Sequence, residues 1–96
     1  MTKEQIKQMV EDEFEAQMYE LGHGCEREDV EEVVLLNMIA NYQYRKIGRD
    51  DLLACAEYMG TKLDMVAVDK MVAKYWRRKE LQAEKKAAKL AAKKGV

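Results

Sequence analysis

The chain has 96 residues, 48% hydrophobic and 36% charged, without proline; this fits one small folded unit and excludes chain-wide disorder. Its formal net charge of −1 is a cancellation, because Met1 to Asp69 holds seven Lys and Arg against sixteen Asp and Glu, whereas Lys70 to Val96 holds ten against two. No run approaches the roughly 20 apolar residues of a membrane span, and the acidic opening MTKEQIKQMVEDEFE is unlike a secretory leader, so the cytosol is the expected compartment.

The periodicity predicts an all-α fold: four helices arranged as two helical hairpins, the last continuing as a long basic extension beyond the core. The first helix is expected over residues 3–21, where Ile6, Val10, Phe14, Met18 and Leu21 form one apolar stripe. Thr2 and Gln5 have the spacing of a capping box, and Gly22 is placed to end the helix in the left-handed C′ conformation.

The second helix is expected over 27–46. Glu28, Asp29, Glu31 and Glu32 crowd its first turn, where the positive end of the helix dipole favours them. VVLLNMIA then reads as apolar nearly all round, which predicts a helix covered on several sides, with Asn37 in an ordinary buried hydrogen bond. A short third helix is expected over 50–59, capped by Asp50 and stopped by Gly60.

The fourth is expected over 64–92, starting at Thr61 or Asp64. Its apolar stripe through Met65, Val68, Met71 or Val72, and Tyr75 ends near Trp76, while Ala, Lys, Leu, Glu and Gln carry helical propensity onward. The chain therefore divides into a helical domain over 1–78 and a basic, Ala/Lys-rich helical extension over 79–96.

Catalytic and metal chemistry find little support. The chain has no serine, one histidine and no glycine-rich phosphate loop, which argues against an enzyme. His23, Cys25, Cys55 and Glu26 could in principle supply four zinc ligands, but their spacing matches no metal motif, so no metal and no cofactor are expected. Cys25 and Cys55 are expected as two reduced thiols.

The segment NYQYRKIGRDDLLACAEYMGTKLD has the rhythm of an EF-hand pair, yet Ala40, Tyr42 and Tyr44 fall where calcium requires oxygen ligands. CAEYMGTKLDMVAVDKMV loosely resembles a DNA-binding helix–turn–helix, but its second helix offers Leu63, Asp64, Ala67 and Val68 where base-reading side chains are needed.

What remains points to a noncatalytic binding module: a small adaptor, inhibitor or regulator. Tyr42, Tyr44, Tyr75 and Trp76 are the candidate partner-binding residues, because so small a core cannot easily bury them all. Lys74, Arg77, Arg78, Lys85, Lys86, Lys89 and Lys93 are the candidate contacts of the basic tail, gathered largely on one side of a continuous helix. A protein partner is the favoured reading and sequence-nonspecific nucleic-acid binding through the tail the alternative. Membrane binding is disfavoured because Leu81 and Leu90 are the only large apolar residues of that kind beyond Trp76. Trp76, Ala83 and Leu90, seven residues apart, leave pairing into a homodimer open.

Overall fold

The computed structural model describes residues 1–22 and 24–94, with side chains to residue 92. Four helices account for the fold: α1 (Lys3–Leu21), α2 (Arg27–Gln43), α3 (Arg49–Tyr58) and α4 (Met65–Lys94), with no strand among the described residues. The chain divides into two compact units, Met1–Leu63 and Asp64–Val96. The division expected at 78/79 lies inside α4.

Each helix start is explained by local chemistry. Thr2 and Gln5 form the reciprocal box: the Gln5 N–H donates to the Thr2 hydroxyl at 3.2 Å and the Thr2 N–H to the Gln5 side chain at 2.8 Å. The Asp29 carboxylate reaches back to the Glu26 N–H at 2.9 Å, closing the entry to α2. At α3 the N-cap lies two residues before the expected Asp50. Gly48 occupies the N-cap and Asp51, not Asp50, accepts from the Gly48 N–H at 3.2 Å; a carboxylate at the third helical position reaches back to that free donor, which is the capping-box spacing, whereas Asp50 stands at the second. Asp64 accepts the Ala67 N–H at 3.2 Å and opens α4.

The ends differ more from expectation. Gly22 has φ 90° and ψ −163°, a positive-φ extended conformation that terminates α1 without the left-handed turn. Helix α2 stops at Gln43, three residues early. Its carbonyls at Tyr42 and Asn41 accept the N–H groups of Arg45 (3.0 Å) and Lys46 (2.8 Å), a Schellman closure with Arg45 held at φ 62°. Helix α3 closes the same way, with Gly60 at φ 71° and the Thr61 N–H bonded to the Ala56 carbonyl at 2.9 Å. Glycine adopts that conformation freely, while Arg45 adopts it against a steric cost.

In the first unit α1, α2 and α3 contact one another pairwise. Their buried side chains are Ile6, Val10 and Phe14 from α1, Val30, Val34 and Met38 from α2, and Leu52, Cys55 and Ala56 from α3. The α1 stripe fades a turn early, with Met18 half-buried and Leu21 exposed. The expectation that α2 is covered on several sides is overturned: Val33 is 42% and Leu36 55% exposed. Two neighbouring helices can cover only part of a third, and a body this small has no further element to spare within the unit.

In the second unit, Met65 and Val68 are buried and Asp69, Val72, Tyr75 and Trp76 half-buried, a stripe at helical spacing over the first three turns. From Arg77 to Ala92 every residue is exposed.

Candidate functional site

The C-terminal half of α4 is the candidate interaction surface. It is helical because Ala, Leu, Lys, Arg, Glu and Gln dominate it and neither proline nor glycine interrupts it through Lys94. Lys74, Arg77, Arg78, Lys85, Lys86 and Lys89 are all exposed, as the sequence pattern requires of a charged face. The Lys93 side chain lies outside the described residues. At 100° per residue, Lys74, Arg78, Lys85 and Lys89 fall within one narrow sector, so their charges act together on one side of the helix.

Tyr75 and Trp76 stand at the junction between the buried stripe and this exposed half. Their rings meet edge to face, with centroids 5.2 Å apart and planes at 84°. The Lys79 ammonium lies 5.7 Å from the Tyr75 ring centroid, within cation–π range. Both rings are half-buried and so already partly engaged. Tyr44, the residue that caps α2, is 51% exposed, and Tyr42 two residues before it is half-buried. These two tyrosines belong to the first unit, and Tyr75 and Trp76 to the second.

A polar cluster not foreseen from the sequence ties the three helices of the first unit together. Arg27 donates two parallel hydrogen bonds to Glu11, at 2.7 and 2.8 Å, and the Tyr58 hydroxyl donates a third to the same carboxylate at 2.5 Å. The Arg27 guanidinium carbon also sits 3.8 Å from the Phe14 ring centroid. Arg27 holds the Glu11 carboxyl well below the usual carboxylate range, at about 2, with the Tyr58 hydroxyl assisting. Nearby, the Asn37 amide donates to Glu13 at 2.5 Å, so it makes a hydrogen bond at the α1–α2 interface from a half-buried position. No sequence periodicity marks these pairs, since partners on separate helices depend on how the helices cross.

The thiols occupy contrasting sites. Cys55 is fully buried and burial pushes its thiol up to about 11; Cys25 is half-buried, its sulfur 3.6 Å from the Glu26 carbonyl oxygen, and neither is bridged. Burial of the Cys55 thiol disfavours the nucleophilic thiolate at neutral pH. Among the described residues no three His, Cys, Asp or Glu side chains converge as metal ligands, and no helix is long and apolar enough to cross a membrane. His23 is outside those residues. A cleft of about 290 Å³ between α1 and α3, lined by Ile6, Ala54 and Tyr58 among others, falls at the small end for a ligand pocket.

Comparison of the chain with protein-family models, curated proteins and solved structures returned no match.

Proposed function

We propose that the chain is a noncatalytic binding module, a small adaptor or regulator that docks on an acidic protein surface through the basic half of α4. The observation that carries this reading is the exposure of every residue from Arg77 to Ala92, in a segment with six Lys and Arg against two Asp and Glu. A helix that contributes no buried side chain over that length offers its charge and its two large aliphatic residues, Leu81 and Leu90, for contact outside the chain.

A protein partner fits better than a nucleic acid for two reasons. The first unit carries seven Lys and Arg against fourteen Asp and Glu, which repels a polyanion. Beyond Trp76 there is no aromatic ring on which a base could stack. The nucleic-acid reading draws on the same lysines, which could follow phosphates without reading sequence.

Salt dependence separates the two. Full-length protein and a Lys85→Glu/Lys86→Glu/Lys89→Glu variant should be compared for retention of partners from lysate, with nucleic acid scored by absorbance. The expected result is a protein retained at moderate salt by the parent and lost by the variant. Retention of nuclease-sensitive material with a steep log–log salt slope, roughly −0.9 per phosphate contacted on duplex DNA, would instead establish the nucleic-acid reading. Equal retention by parent and variant would reject both.

A further inference from the structure

Helix α2 presents an apolar side to solvent, opposite the side that carries Val34 and Met38. Leu36 is 55% and Val33 42% exposed there, and Ile39 and Ala40 on the same side are half-buried. At 100° per residue these four fall on one side of the helix, together with exposed Glu32. Charge is polarised along the same helix: Glu28, Asp29 and Glu32 are exposed at its beginning, and Arg45 and Lys46 are exposed in the turn that closes it.

A helix acidic at its start and apolar in the middle, closed by a basic turn, is complementary to itself in the antiparallel sense. If two copies of α2 cross antiparallel near Leu36, residues 28 and 29 of one copy come level with residues 44 and 43 of the other, beside the closing turn that carries Arg45 and Lys46. A two-fold axis then forms the charge match twice, with the exposed apolar residues between. The geometry points to this face as a self-association surface whose occupant is α2 of a second copy of the chain, distinct from the α4 surface assigned to a partner. A single helix–helix crossing buries less than the area of a standard stable complex, so the dimer is weak and reversible, with Kd on the order of 100 μM.

Sedimentation equilibrium of the full chain, up to about 1 mM, tests the pairing. The parent is expected to show a monomer–dimer equilibrium that weakens with salt. Leu36→Glu should raise Kd about tenfold or more with its circular dichroism unchanged, because that side chain is exposed in the monomer and buried in the dimer. The charge swap is the decisive arm. Glu28→Lys alone and Arg45→Glu/Lys46→Glu alone should each dimerise poorly, since each places like charges beside one another twice. An equimolar mixture of the two should regain dimer, because each mixed pair restores both matches. A parent monomeric at about 1 mM, a dimer indifferent to Leu36→Glu, or a mixture no better than its components would overturn the proposal. Loss of association on deleting residues 80–96, with α2 intact, would move the contact to α4 and overturn it equally.

Discussion

Arg27 and Glu11, sixteen residues apart, meet in a two-point ion pair at 2.7 and 2.8 Å that joins the start of α2 to the middle of α1. Two parallel N–H donors fix the guanidinium in one plane, and the Phe14 ring beneath it restricts that plane further. Tyr58 adds α3 through the same carboxylate. Three helices thus share one acceptor, which makes Glu11 the residue through which their register is most directly tested.

Glu11→Gln should lower stability at neutral pH by about 1 kcal/mol, the scale of a partly exposed charged hydrogen-bond cluster screened by solvent. The sign of the pH dependence follows from a folded-state pKa depressed from 4.5 to about 2. The carboxylate stabilises the fold above its unfolded value, and that contribution is lost as pH falls through the folded one. The stability difference between parent and variant should therefore shrink toward zero from about pH 4.5 to about pH 2, as read from denaturant midpoints across that range. A constant difference would show that the charge of Glu11 is not what matters.

Arg45 offers a test of the Schellman closure that separates backbone from side chain. Arg45→Gly and Arg45→Val both remove the guanidinium, but only glycine accepts φ 62° without strain. The valine variant is expected to be less stable than the glycine variant by about 1–2 kcal/mol. Equal unfolding midpoints would mean that the turn relaxes out of the left-handed region at no cost.

The sequence made most helix starts legible because capping side chains act within three residues of where they stand, as Thr2, Gln5 and Asp64 do; at α3 two adjacent aspartates left the cap ambiguous. Ends were less legible: the expected α2 runs to residue 46, yet Arg45 takes the position usually given to glycine and closes it earlier. The apolar run VVLLNMIA was misread as covered on several sides because periodicity reports only which residues are apolar. How many neighbours a helix has is a property of the assembled body, and Leu36 remains in water. The basic face of α4 was readable because exposure of lysine on a continuous helix needs no tertiary partner. The Glu11–Arg27–Tyr58 cluster was not, since nothing local distinguishes those residues from other charged or aromatic ones.

The two thiols should separate by rate. In the native protein a thiol reagent is expected to modify Cys25 first and Cys55 only as the body opens, because Cys55 is fully buried and burial pushes its thiol up to about 11. Mass mapping after a short exposure should find Cys25 alone; prompt modification of both would mean that the first unit opens far more readily than its packing implies.

Removing Glu80 to Val96 should leave the circular dichroism of the remaining chain helical and its thermal midpoint within a few degrees of the parent. No residue of that segment through Ala92 is buried, so the deletion removes little apolar contact. A large fall in the midpoint would show that this segment stabilises the fold through association with another molecule.

Trp76 is the chain's single tryptophan, and it stands in contact with Tyr75 at the point where the buried stripe of α4 gives out. The molecule therefore carries its own optical probe at the junction between the half-buried stripe and the exposed half of α4. An indole half in water shifts its emission toward the blue when a ligand shields it and toward the red when the junction frays, so occupancy of the basic half can be followed by intrinsic fluorescence, with no label attached to the lysines that would make the contact.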